Sequence, residues 1–183
     1  MASPVNLRLG APYAIALAAL TETYTNFTID ESTEKAGWIF QAEDANPITH
    51  LGFRYNVTAG SPPVYSIGLK GVSEGLPSGV ILGGTSPASG QFYPPNTTGW
   101  NSTWQWIALA NSYTPAIGEQ LAIVIDYVSG LISTPNSSSF TIRQANILDN
   151  DQQQFPYGVS FSVGWTKGTS FPIFGIRTAN SRY

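Results

Sequence analysis

Short β-branched and aromatic runs, each stopped by Gly, Pro, Asn or Asp, recur from residue 21 to residue 178. That rhythm constrains the fold more than any other feature. Runs this short cannot make helices of ordinary length, and they bury an apolar side only by pairing in a sheet. The clearest case is Val64 to Thr85, VYSIGLKGVSEGLPSGVILGGT. Val64, Ser66 and Gly68 alternate with Tyr65, Ile67 and Leu69, which gives one apolar face at period two. The chain is expected to reverse across Glu74-Gly75 and Leu76-Pro77-Ser78-Gly79, because Pro77 presets φ and Gly79 permits a positive φ. Val80-Ile81-Leu82 then resumes the sheet and Gly83-Gly84 ends it.

The other strands follow from the same reading. Thr21 to Ile29 is β-branched and aromatic, and Gly37 to Ala42 puts Trp38 and Phe40 on one face. His50 to Val57 reads as one strand, with Leu51, Phe53, Tyr55 and Val57 opposed to His50, Arg54 and Asn56. Trp104 to Leu109 is a strand, and Tyr113 to Glu119 is a turn carrying Pro115 and Gly118. Gln120 to Val128 is the most apolar run. Leu121, Ile123, Ile125 and Tyr127 share one face, and Ala122 and Val124 make the other apolar too, so this strand is expected to be central and buried on both sides. Ser139 to Gln144, Gly158 to Val163 and Phe171 to Thr178 complete the set. Pro87 to Ser102 and Ser129 to Ser138 read as loops, and the first exceeds the usual connection length, as functional or interface-forming loops do. About nine or ten short strands with no convincing helix define an all-β fold, an antiparallel β-sandwich of jelly-roll-like kind. Residues 1–20 are expected to form an N-terminal arm and residues 21–183 the sandwich domain.

Composition narrows the partners. Charged residues make up only 10% of the chain, against about 25% in an average domain. Aromatics reach 13%, which excludes acidic disorder. A surface poor in charge suits a protein that is mostly interface. The net charge of −3 and eight unclustered Lys plus Arg give nucleic acid no electrostatic footing. The apolar stretch Ala11 to Leu20 is too short to span a bilayer, and it lacks the basic flank and cleavage site of a signal peptide. No membrane partner is expected. The absence of cysteine removes disulfides and thiolate metal sites.

Catalytic chemistry finds little footing. His50 is the single histidine, it lies on the polar face of its strand, and no nucleophile motif such as G-x-S-x-G accompanies it. Most carboxylates sit in turns, which does not assemble the paired acids of a glycosidase. Asp126 is the exception, set in an apolar strand, and is read as a structural carboxylate with a local partner. Asp149-Asn150-Asp151 lacks the spacing of a calcium loop and is read as solvated. The five Asn-x-Ser/Thr sequons, at Asn26, Asn56, Asn96, Asn101 and Asn136, are compositional in a chain so rich in Asn, Ser and Thr. No enzymatic activity, cofactor or metal is expected.

The aromatic residues are the better lead. Trp104 and Trp106 point to one side of their strand with Ala108, while Ile107 and Leu109 point to the other. If the aliphatic side is core, two indoles lie on an outer sheet face beside the loop that carries Phe92, Tyr93 and Trp100. Phe92, Tyr93, Trp100, Trp104 and Trp106 are therefore the candidate ligand or interface residues, suited to burial against another subunit or to stacking on sugar rings.

The segments KAGWIFQA, ITHLGFRYNV, YSIGLKGVSEGLPSGVIL, WQWIAL, GEQLAIVIDY and PYGVSFSVGW, in that order, resemble a β-jelly-roll module of phage virion proteins and bacterial surface proteins. The resemblance rests on Ile67-Gly68-Leu69, on Gly75 to Gly79 and on Gly118 to Asp126, and it covers roughly residues 21–178. It implies a non-enzymatic component of a tailed-phage virion, a capsid decoration or tail-associated protein, assembled in the host cytoplasm and working through contacts with other virion proteins as a homo-oligomer. It carries over no catalytic residue. The alternative is an extracellular glycan-binding module of an enzyme or adhesin, with cell-surface glycan as partner.

Overall fold

A computed structural model describes residues 24–29, 32–53, 55–57, 64–83, 91–92, 99–100, 105–129, 140–146, 157–167, 170–172 and 174–180. These residues form an all-β fold of fifteen strands, with every pairing antiparallel and no helix among them. The largest sheet has seven strands. Its order is β13 (Trp165–Lys167), β12 (Tyr157–Phe161), β2 (Lys35–Gln41), β10 (Gln120–Ser129), β5 (Val64–Ser73) and β6 (Leu76–Leu82), with β7 (Gln91–Phe92) also paired to β5. A five-stranded sheet runs β1 (Tyr24–Ile29), β11 (Phe140–Asn146), β4 (Tyr55–Val57) and β8 (Gly99–Trp100), with β14 (Ser170–Pro172) on β11. A three-stranded sheet runs β15 (Phe174–Thr178), β3 (Ile48–Phe53) and β9 (Gln105–Tyr113).

The main core lies between the seven-stranded sheet and the other two. Trp38, Phe40, Tyr65, Ile67, Leu69, Leu121, Ile123 and Ile125 come from the large sheet, Leu51, Phe53, Phe174 and Ile176 from the three-stranded one, and Ile29 from the five-stranded one. Burying each aliphatic side chain contributes about 1.5–3 kcal/mol, so this face specifies the register of every strand that crosses it. Trp38 stacks on Phe40 at 5.0 Å between ring centroids and reaches Phe174 at 6.4 Å, joining the large sheet to the three-stranded one. The Tyr65 hydroxyl donates to the Ile29 carbonyl at 3.0 Å, which joins it to the five-stranded one.

The large sheet also curls on itself. Its terminal strands β13 and β6 approach one another, and the concave side holds a second core of Ile39, Ala122, Val124 and Val159, covered by Val72, Leu76 and Trp165. Gly37 makes this closure possible, because a Cβ there would stand 2.9 Å from Val159 Cγ2. The strand β10 feeds both cores. Its residues 121–125 are all fully buried, which is why its sequence is apolar on both faces.

Four sequence-based boundaries change. The run expected as one strand from His50 to Val57 divides, because β3 pairs in the three-stranded sheet and β4 in the five-stranded sheet. The run Phe171 to Thr178 divides in the same way, into β14, which ends at the paired Pro172, and β15, which starts at Phe174. Hydrophobic period continues across the first break, from Leu51 and Phe53 to Tyr55 and Val57, so pattern alone cannot reveal that change of sheet. The central reversal is shorter than expected. It is a two-residue turn at Glu74-Gly75, with φ of 54° and 73°, and Pro77 and Gly79 lie inside β6. An edge strand tolerates proline, so the same residues serve strand and turn. Val163, expected at the end of a strand, lies in a turn and is 97% exposed. The proposed arm of residues 1–20, Asp149-Asn150-Asp151 and the sequons at Asn96, Asn101 and Asn136 lie outside the described residues.

Candidate functional site

The candidate aromatic residues are placed in three different sheets. Phe92 belongs to β7 and pairs with Tyr65 in the large sheet. Trp100 belongs to β8 and pairs with Asn56 in the five-stranded sheet. Trp106 belongs to β9 in the three-stranded sheet. Tyr93 and Trp104 lie outside the described residues.

Trp106 is the one whose side chain is described. Ile107 and Leu109 pack against the main core and Ala108 is exposed, so Trp106 lies on the outer face by strand alternation. There the register aligns Gly175, Gly52 and Trp106 in one row, and Arg177, His50 and Ala108 in the next. Gly52 leaves a gap into which the indole folds. A Cβ on Gly52 would stand 2.5 Å from indole Cζ3 and 2.6 Å from Cε3, so only glycine admits the ring. The guanidinium carbon of Arg177 lies over the indole, 4.1 Å from its centroid. A cation over an aromatic face contributes about 0.5–2 kcal/mol.

Around Arg177 the polar groups are arranged unevenly. The Thr49 hydroxyl donates to the Arg177 carbonyl at 3.2 Å, and Thr49 Oγ1 lies 3.0 Å from His50 Nδ1. A hydroxyl has one proton, so with that proton given to the carbonyl, Nδ1 is the donor to Thr49. Arg177 Nε is buried with no hydrogen-bond acceptor. Sequence reading put Trp106 forward, set His50 aside as a residue of the polar face, and missed Arg177. The signal was present, since alternation in FGIRT sets Arg177 opposite the core residue Ile176.

A second polar group sits on the concave side of the large sheet. Asp126 Oδ2 accepts from Lys70 Nζ at 2.7 Å. Its Oδ1 contacts Lys35 Nζ at 3.0 Å, as an ion pair without an aligned hydrogen bond. Lys35 also lies 5.6 Å from the centroid of Phe161, and Phe161 meets Trp165 edge-on at 5.3 Å. The expectation of a local partner for Asp126 understates the arrangement, which clamps one acid between two lysines from neighbouring strands.

Glu119 is likewise committed. It accepts from the Tyr113 hydroxyl at 2.5 Å and from the Ala116 N–H at 2.8 Å, closing the β9–β10 turn. The hydrogen bond to Glu119, then burial and the carboxylate charge, push the Tyr113 hydroxyl up to about 12. Among the described residues, no group of three or more His, Asp or Glu could hold a metal ion, and no helix is long and apolar enough to cross a membrane. In comparisons with known proteins, no family, curated protein or solved structure matches this chain.

Proposed function

We propose that this chain is a non-enzymatic structural module that works through protein–protein contacts, as a capsid decoration or tail-associated component of a tailed-phage virion. The observation that carries the contact role is the exposed strand β6. It is the last strand of its sheet among the described residues, and it exposes Val80 by 60% and Ile81 by 44%. Although β13 approaches it, no described strand pairs with this edge, and an unpaired strand with exposed apolar side chains is a template for a neighbouring chain. The charge-poor composition supports the same role. The resemblance of the hairpin and central-strand segments to virion jelly-roll modules supports the virion setting. Asp126 and Glu119 support the non-enzymatic part, since both are held by structural partners. Sedimentation velocity over a concentration series tests the contact role. The expected result is a homo-oligomer that dissociates when Val80→Lys and Ile81→Lys are combined; a monomer at every concentration would overturn self-association through β6.

A second reading, glycan binding, is favoured by Trp106. A half-buried indole on an outer sheet face, with a guanidinium and an imidazole in adjoining register, combines an apolar surface with directional polar groups, as saccharide sites require.

A further inference from the structure

We infer that the outer face of the three-stranded sheet binds an acidic saccharide, with Arg177 taking its carboxylate and His50 one of its hydroxyls. The inference rests on the glycan-binding reading and is independent of the β6 edge. Its starting point is the unpaired guanidinium. Lys35 and Lys70 are both committed to Asp126, whereas among the described residues no carboxylate lies within ion-pair distance of Arg177, and its Nε is buried without an acceptor. Arg177 is only half-buried as a residue, but a single N–H withdrawn from water and left without an acceptor is costly, and native structures supply such groups with a partner. Stacking on Trp106 fixes the guanidinium plane but satisfies none of its in-plane N–H groups. A planar fork held in this way matches a carboxylate.

The neighbours select the rest of the ligand. His50 is the cross-strand partner of Arg177, which sets their Cβ atoms about 5 Å apart. Because Nδ1 donates to Thr49, the neutral ring presents Nε2 as an acceptor. A donor-rich guanidinium beside an acceptor nitrogen suits a molecule that carries a carboxylate and a hydroxyl a few bonds apart. Uronic and nonulosonic sugars have that pattern, and a simple carboxylate or an acidic side chain lacks the hydroxyl. Ala108, the cross-strand neighbour of His50, is exposed and raises no long side chain, so a pyranose ring can lie against the sheet there. Trp106 provides the apolar border.

The test is a titration of the full chain followed by the Arg177 Nε–H and Trp106 Nε1–H resonances, assigned through Arg177→Lys and Trp106→Phe. The probes are an oligogalacturonate and sialyl-lactose, each beside its methyl ester, with a glutamate-rich peptide as the protein-like acid. The expected result is that at least one acidic saccharide shifts both resonances and its ester does not. Arg177→Lys keeps the charge but loses the fork, and should weaken binding about tenfold or more; His50→Ala should weaken it less. Both variants are to be compared only with an unchanged unfolding midpoint. Equal binding of acid and ester would overturn the carboxylate assignment while leaving glycan binding standing. Binding of neither saccharide would overturn both, and binding of the peptide alone would identify a protein partner for this face.

Discussion

Glu119 shows how single residues are spent on shape in this protein. Its carboxylate joins the Tyr113 hydroxyl to the Ala116 amide, so one side chain holds both ends of a short turn. The neutral phenol is the form that donates, and its deprotonation would bring two anions together. The Tyr113 hydroxyl therefore ionises near 12 in the folded chain, against about 10 in an unfolded one. Because the folded state holds the proton more tightly, the stabilisation is complete below pH ~10 and is lost as pH rises from there through ~12. Tyr113→Phe should accordingly be less stable than the parent at pH 8, with the gap closing over that alkaline window. Urea denaturation at a series of pH values measures it. A gap that stayed constant would mean that packing, rather than the hydrogen bond, accounts for the loss.

Among the elements, the β5–β6 hairpin gives the sharpest test. A two-residue loop with both φ values positive is the turn that matches strand twist, and it favours Asn-Gly. This chain has Glu74-Gly75 there, with Glu74 the only non-glycine residue at positive φ among those described. Side chains with a Cβ pay for that conformation, and asparagine pays least. Glu74→Asn is expected to raise stability by up to about 1 kcal/mol, read as a higher denaturation midpoint at unchanged slope. A neutral or destabilising result would show that Glu74 makes a compensating contact. The sequence contained this turn within a longer reversal. Pro77 and Gly79 drew the expected turn too far along the chain, since their own signals are local, whereas their place in an edge strand depends on which strand stands beside them.

Across the whole molecule, the curl of the seven-stranded sheet creates two interiors, and Asp126 sits in the second. The alternation that puts Ile125 in the main core sends Asp126 to the concave side, where Lys35 and Lys70 meet it from the strands on either flank. Removing the acid leaves two half-buried ammonium groups facing each other. Removing Lys35 leaves the Lys70 pair whole. Asp126→Ala should therefore cost more than Lys35→Ala, about 1–3 kcal/mol in denaturant unfolding. That range is below the cost of breaking a fully buried pair, because the Asp126 side chain remains 20% exposed. An Asp126→Ala variant as stable as the parent would show that the clamp contributes only local order.

Period-two patterning was enough to determine the all-β class, the apolar face of β5 and the double burial of β10, because side-chain alternation is a property of one strand and needs no partner. It also set Trp106 on the side of β9 away from Ile107 and Leu109. Tertiary structure alone decided where β3 gives way to β4, that the large sheet curls, and that Arg177 comes to lie over Trp106. Arg177 and Trp106 are 71 residues apart in the chain, on strands that never pair directly, and they meet only because β3 runs between them with a glycine where a side chain would block the ring. Local sequence records each residue's preferred face. Which residues then share that face depends on sheet order, and sheet order is settled by how all the apolar faces can be buried at once.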